Sequence, residues 1–505
     1  MSLLTTAGGG ANGASEFVVT NSARFDRASA DRLYFDQGSG DDTTARRKWT
    51  FSTWIKRSQM VNSSNHQYFF GVGDYTLLGF RRDDSGEAND LYFQVGTGSS
   101  AQGVHCNAKF RDPAAWMHIH AIFDSTQGTA ANRLQLRING NLVDDSYGDY
   151  STDQRSSITQ NDEDDFVGNN GQRINIAYSA NGTSSFFDGY MSETHLLIGT
   201  SKAYTEFAET DDDTGEWVPK QTSFATSDYG SNGFKLEYKQ TGTSANASGI
   251  GADTSGNGNH FTVQNLNAQN VTTDTPDNNF CTINTIYKDN GNNLVTADFS
   301  QGATKMVSTQ DGWKFGRGTF LLDAGKWYVE VKATEAGAGE NGRFGLQPAE
   351  GGEALGNTDD NDTFEGFGVD FSGSNTNLDK LDTGSGTTLF SNFSSGSIAM
   401  LALDLDNDKV WVGSNGTWNN GSASQSTTLD PSNHDFTLPT VLHGWVFGLG
   451  MTKNSSNNIE FEYNWGQPSF SISSAESDAE GHGTFEYAVP SGFFSCCTKN
   501  LAEYG

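Results

Sequence analysis

Cysteine is scarce in this chain, with four in 505 residues, and that excludes a disulfide-stapled scaffold. Two of the four, Cys496 and Cys497, follow Phe493 and Phe494 and read as apolar packing rather than redox chemistry. Positive charge is equally short: 31 Lys and Arg stand against 62 Asp and Glu, for a formal net charge of −31. A surface this acidic repels phosphate backbones, so a nucleic-acid partner is not expected. No apolar run approaches the length of a membrane span, so no membrane insertion is expected either. The opening MSLLTTAGGGANGASEF lacks both the basic segment and the apolar core of a secretory signal, which implies synthesis in a cytoplasm. Amphipathic helices of three turns and heptad runs are missing, so there is no coiled-coil shaft. Walker, G-x-S-x-G and H-E-x-x-H motifs are absent too.

What is present is 59 glycines and 12% aromatic residues among abundant Ser, Thr, Asn and Asp. Turn formers alternating with large apolar side chains indicate many short strands, hence sandwiches or barrels. WTFSTWIKR (49–57) sets Phe51, Thr53 and Ile55 against Ser52, Trp54 and Lys56, the period of two of a strand with distinct faces. RLQLRINGNLVDD (133–145) reads as strand, Asn139-Gly140 turn, strand. Asn-Gly suits a type I′ turn because both central residues take positive φ. The same signature recurs at Asn232-Gly233, Asn257-Gly258, Asn341-Gly342 and Asn415-Gly416. Residues 239–260 and 267–280 are polar interruptions of the strand pattern and mark boundaries.

Four segments resemble, in order, the laminin-G-like, concanavalin A-like lectin/glucanase superfamily: SARFDRASADRLYF (22–35), WTFSTWIKR (49–57), the pair DPAAWMHIHAIFD and NRLQLRINGNLV (112–124, 132–143), and SSFFDGYMSETHLLIGTSKAYTEF (184–207). The second half is similar to an SPRY sandwich through GKWYVEVKA (325–333), RFGLQP (343–348), GFGVDF (366–371), SIAMLALDLDNDKVWVGSNGTW (397–418) and IEFEYNWGQPSF (459–470), with Trp465 in place of the usual Phe. The resemblance implies an all-β chain of two successive antiparallel sandwiches, a concanavalin A-like jelly roll at 17–240 and an SPRY-like module at 275–470. A flexible arm (1–16), a linker (241–274) and a C-terminal strap (471–505) complete the expected organisation. The pairing of modules, with TGEWVPKQ (214–221) and the ending PSGFFSCCTKNLAEYG, resembles marine bacteriophage structural proteins. That resemblance implies a virion fibre or appendage adhering to host-surface glycan or protein, with other virion proteins as partners and a homo-oligomer compatible with the sequence. Two other roles stay open, a capsid decoration or baseplate component and a polysaccharide depolymerase.

The chemistry-bearing positions are few. Glucanases of the first superfamily place an E-x-D-x-x-E pattern on one strand so that two carboxylates flank a glycosidic bond, and no strand here carries it. The chain is therefore expected to be non-enzymatic. The run Asp162-Glu163-Asp164-Asp165 reads as a solvated loop or a Ca²⁺ site. His118 and His120 share a strand face with metal-compatible spacing, but no carboxylate or cysteine is evidently paired with them. Gly337, Gly339 and Gly342 form a G-x-G-x-x-G that joins two strands and so offers no helix N-terminus to a phosphate. No cofactor is required, and calcium is the one ion the acidic loops suit. Asp359, Asp360 and Asp362 cluster hard oxygen ligands, as do Asp253, Asn257 and Asn259. For a sugar, Trp418 offers a stacking face between the amides of Asn415 and Asn419, with a packing role as the alternative.

Overall fold

The computed structural model describes residues 17–60, 65–82, 89–97, 100–179, 185–286, 298–308, 312–335, 341–349, 367–372, 376–381, 387–422, 424–453 and 458–505. The described residues divide into two compact units, 17–277 and 278–505. Each is a β-sandwich with antiparallel strand pairing within its sheets. The longest helix among the described residues, Thr498–Tyr504, has 7 residues.

In the first unit one sheet runs Asn141–Leu142, Leu134–Ile138, Trp116–Asp124, Lys48–Arg57, Gly189–Ile198, Ser22–Phe25 and Val271–Thr272, with Phe234–Leu236 added beside Gly189–Ile198. The facing sheet runs Thr152–Asp153, Ser100–Lys109, Asp90–Thr97, Thr76–Phe80, Gln67–Val72, Arg173–Ile176, Arg32–Asp36 and Thr262–Gln264. The alternation of Lys48–Arg57 fixes what goes between them. Trp49, Phe51 and Ile55 point into the core, where the Phe51 ring lies 4.4 Å from that of Phe70 and Trp49 lies 5.4 Å from Phe93. Each such ring removes enough apolar area from water to contribute about 1.5–3 kcal/mol.

The stretch 241–274, read as a linker from its composition, is part of this first sandwich. Ile250, Phe261 and Leu266 belong to its core, Thr262–Gln264 pairs with Arg32–Tyr34, and Val271–Thr272 pairs with Ser22–Ala23. Its glycines and polar residues build tight turns around those isolated apolar anchors. A Cβ on Gly249 would sit 2.0 Å from the Ser244 carbonyl oxygen, so the composition that suggests a linker instead allows close backbone approach. The acidic run 162–165 is likewise not a solvated loop. Asp164 is buried, and its carboxylate accepts from Trp49 Nε1 at 3.0 Å, Thr76 Oγ1 at 2.9 Å and the Phe166 amide at 2.9 Å.

The second unit pairs two sheets. One contains Asp298–Ser300, Lys305–Ser308, Ile459–Asn464, Lys326–Glu335, Ile398–Asp404, Lys409–Ser414 and Thr417–Trp418, with Phe436–Thr437 beside Lys409–Ser414. The other contains Gly312–Leu322, Trp445–Lys453, Asn341–Pro348, Phe367–Ser372, Asn377–Leu381 and Thr387–Ser391. Asn341-Gly342 is therefore no turn but the start of a central strand. A Cβ on Gly342 would lie 2.1 Å from the Phe461 ring, so glycine is there for packing. Of the other Asn-Gly pairs, Asn139-Gly140 and Asn415-Gly416 take positive φ at both residues (47° and 77°, 48° and 80°), as type I′ turns require.

Part of the C-terminal segment 471–505 covers the outer face of the first of these two sheets, while Cys496 enters the core between them. The Tyr328 amide donates to the Phe494 carbonyl at 2.8 Å and the Phe494 amide to Lys326 at 2.9 Å. Phe485 and Phe493 pack with Tyr328, Met400, Trp411 and Trp418 into a second apolar layer. Beneath the strap, Glu330 is buried and accepts four hydrogen bonds, from Tyr328 Oη (3.0 Å), Asn464 Nδ2 (3.1 Å) and the amides of Glu486 (3.0 Å) and Tyr487 (2.9 Å). Burial still outweighs these bonds and pushes its carboxyl up to about 6.

Candidate functional site

Of the residues singled out for a sugar, Trp418 and Asn419 are buried and Asn415 is exposed. Trp418 is 2% exposed, exchanges backbone hydrogen bonds with Ser426 and lies beneath the strap. Asn419 is buried and donates to Asp435 Oδ1 at 2.5 Å, while Asn415 Oδ1 accepts from the Ile398 amide at 2.9 Å and closes the hairpin turn. Trp418 is thus a packing residue, because a segment some seventy residues downstream covers the face that its strand would otherwise present.

In the loop of Asp253, Asn257 and Asn259 the carboxylate is engaged within the loop itself. Asp253 accepts from the amides of Lys235 (2.9 Å), Ser255 (2.9 Å) and Asn259 (2.8 Å) and from Ser255 Oγ (2.9 Å). Both asparagines turn their NH₂ groups inward, Asn257 donating to Gly230 O (2.8 Å) and Asn259 to Gly233 O (2.9 Å). The carboxylate is an internal cap rather than a calcium ligand. Asp359, Asp360 and Asp362, like Gly337 and Gly339, lie outside the described residues. Among the described residues no group of three His, Cys, Asp or Glu side chains is arranged to hold a metal ion.

Sequence reasoning did not anticipate the polar layer on the outer face of the first unit's first sheet. His118, His120 and His195 all face outward from the core there and are all buried. Trp217 Nε1, which can only donate, contacts His118 Nδ1 at 3.2 Å, so His118 carries its proton on Nε2 and donates to Ser52 Oγ at 2.8 Å. Burial lowers the pKa of all three, that of His120 to about 3, so they stay neutral. Beside them Glu193 sits at a bulge with φ of 43°, 3.8 Å from His195 and 3.3 Å from Lys235 Nζ. A Glu-His-Lys group has the elements of acid–base chemistry. Here Phe207, Phe224 and Tyr229 lie over His195 at ring distances of 5.4, 6.1 and 6.2 Å, and the group is a sealed structural layer. In the second unit a cavity of about 20 Å³, room for roughly one water molecule, is walled by apolar side chains such as Phe344, Phe371 and Phe461.

The accessible arrangement is on the outer face of the facing sheet of the first unit. In Arg32–Asp36, Leu33 and Phe35 turn to the core, which puts Arg32, Tyr34 and Asp36 outward. The neighbouring strand contributes Arg173, opposite Asp36, and Asn175, opposite Tyr34. Just after it, Tyr178 bridges to Phe186, with ring centroids 4.5 Å apart. The result is a tract of half-buried aromatic rings crossed by two guanidinium groups. Arg32 lies 4.6 Å from the Tyr178 ring centroid and 5.7 Å from Tyr34, and Arg173 lies 4.1 Å from Tyr34. Arg173 forms a two-pronged pair with Asp36 at 2.6 and 3.0 Å, which holds that carboxyl below the usual range. Rings that offer a face, with donors at their edges, can stack on a pyranose and hydrogen-bond its substituents. Arg32 and Tyr34 are readable as one strand face, but Arg173, Tyr178 and Phe186 lie some 140 residues away and join them only through sheet pairing.

No family model matches the chain, and no curated protein does. Among solved structures the chain is similar to the mouse laminin alpha1 chain, domains LG4-5, at 10% identity and a TM-score of 0.26, covering 86% of this chain and 83% of that one. It is also similar to the SPRY domain of human HERC1, at 14% identity and a TM-score of 0.23, over 32% of this chain and 87% of that one. A third is the heptameric SAP-like pentraxin from Limulus polyphemus, at 14% identity and a TM-score of 0.23, over 35% and 74%. The description of both units as sandwiches rests on their own strand pairing and cores.

Proposed function

We propose that this chain is a non-enzymatic adhesion component of a bacteriophage virion, and that its first sandwich binds host-surface glycan through the Arg32–Tyr34–Tyr178 face. The observation that carries the reading is the tract itself: aromatic rings and guanidinium groups held together on an accessible sheet face. The virion role rests on the sequence resemblance, and the sealed state of the Glu193–His195 layer supports binding over hydrolysis. Individual contacts of this size are weak, and many copies on one particle raise avidity without new contacts.

The test is retention of the purified full-length chain on host cells and on their isolated surface polysaccharide. Tyr34→Ala with Tyr178→Ala removes two stacking faces and should weaken retention by about tenfold or more. Equal retention by wild type and double variant contradicts the assignment of the face. Release of new reducing ends from the polysaccharide supports a depolymerase instead.

A further inference from the structure

Arg32 differs from most arginines of its unit, whose guanidinium groups are engaged by carboxylates or carbonyls. Arg46 pairs with Glu163, Arg155 with Asp153 and Asp144, and Arg173 with Asp36. Arg133 donates to the carbonyls of Gln127 and Ile158, and the buried Arg57 to Phe110 O and Gln67 Oε1. Arg32 has stacking partners only: no carboxylate or carbonyl among the described residues receives its N–H groups, and its Nε is buried without an acceptor. This is in a chain where acidic residues outnumber basic ones 62 to 31. Stacking against Tyr178 and Tyr34 orients the guanidinium plane while consuming no N–H donor. The group is thus pre-organised to give two parallel hydrogen bonds from Nη1 and Nη2 to an oxyanion.

From this we infer that the ligand class is an anionic glycan, whose carboxylate or sulfate group is received by Arg32 while its ring lies on the adjacent aromatic faces. The inference rests on the adhesive reading of this face and narrows it. A neutral sugar would leave the guanidinium without a counter-charge. An extended peptide is disfavoured because Arg32–Asp36 is already paired on both sides, by Thr262–Gln264 and by Arg173–Ile176, and offers no open edge for strand addition.

The test uses the full-length chain at about 0.15 M salt, where the screening length is roughly 8 Å. Binding is measured to dextran sulfate, polygalacturonate, neutral dextran and polyglutamate, for wild type, Arg32→Gln and Arg32→Lys. The expected result is binding to dextran sulfate, polygalacturonate or both. Arg32→Gln should weaken it about tenfold or more, and Arg32→Lys should fall between, because lysine keeps the charge and loses the fork. Which of the two polymers binds tells sulfate from carboxylate. Arg32 is half-exposed, so a thermal midpoint within a few degrees of wild type is the folding control, and Arg32→Lys provides a second variant that keeps the cation. Three results overturn the inference: undiminished binding by folded Arg32→Gln, neutral dextran bound as tightly as the charged glycans, or polyglutamate bound as tightly as they are. Binding to neutral dextran that depends on Tyr34 and Tyr178 would leave the adhesive reading standing without the anionic class. Retention of no polysaccharide at all would remove both.

Discussion

Asp31 is buried in the first sandwich and shares its surroundings with the Asp26 and Asp188 carboxyls. Burial, then the neighbouring charge of Asp26, raises its pKa to about 7, and burial raises that of Asp188 as well. Asp31 Oδ2 accepts from the Asp26 amide and from Asn270 Nδ2, both at 3.1 Å, while Oδ1 has no partner. A carboxyl whose folded pKa is raised stabilises the fold fully below its unfolded value, 3.8, and that contribution is lost as pH rises through about 7. Asp31→Asn keeps a carbonyl oxygen for both donors and carries no titrating charge. Its urea midpoint should therefore drop less than that of wild type between pH 5 and pH 8, and equal drops would contradict the shift. The same scale shows what residue types do not disclose. Trp418 and Asn419 have the side chains of a sugar subsite, yet exposure is decided by Phe485 and Phe493, far along the chain.

At the scale of elements, the C-terminal strap gives the second sandwich an outer apolar layer. Phe485 is fully buried, its ring 4.9 Å from that of Tyr328, and the backbone next to it is received by Glu330. Phe485→Ala removes that ring from the layer and should cost about 3–5 kcal/mol of stability. Denaturant unfolding checks this, and a loss below about 1 kcal/mol would mean that the strap is only loosely held. The strands themselves were largely legible, because period-two alternation and Asn-Gly turns are local signals. Lys48–Arg57 and the turns at Asn139-Gly140 and Asn415-Gly416 are cases where local signal and structure agree. Alternation shows which side chains share a face and not what covers that face. Ser52, Trp54 and Lys56 form the face opposite Phe51, Thr53 and Ile55, yet all three are buried as well. Lys56 pairs with Asp274 at 2.8 Å and Trp54 stacks on His118 at 5.1 Å. Asp274 comes from the polar stretch whose composition suggested a linker, and the boundary between units at 277 falls in the second of the two polar interruptions, 267–280, rather than in 239–260.

For the molecule as a whole, the combination to explain is an acidic chain that holds Arg32 on an aromatic sheet face with no carboxylate beside it among the described residues. Composition was enough to indicate an all-β fold. The face itself was not legible, since it joins strands that only the sheet order brings together. The central claim is that this face of the first sandwich is where ligand is held. Hydrogen–deuterium exchange of the full-length chain, with and without the polysaccharide it binds, tests that most directly. The account predicts slowed exchange in Arg32–Asp36, in Arg173–Ile176 and around Tyr178 and Phe186, with little change in 278–505. Protection confined to 278–505, with the Arg32 and Arg173 strands unchanged, would contradict it.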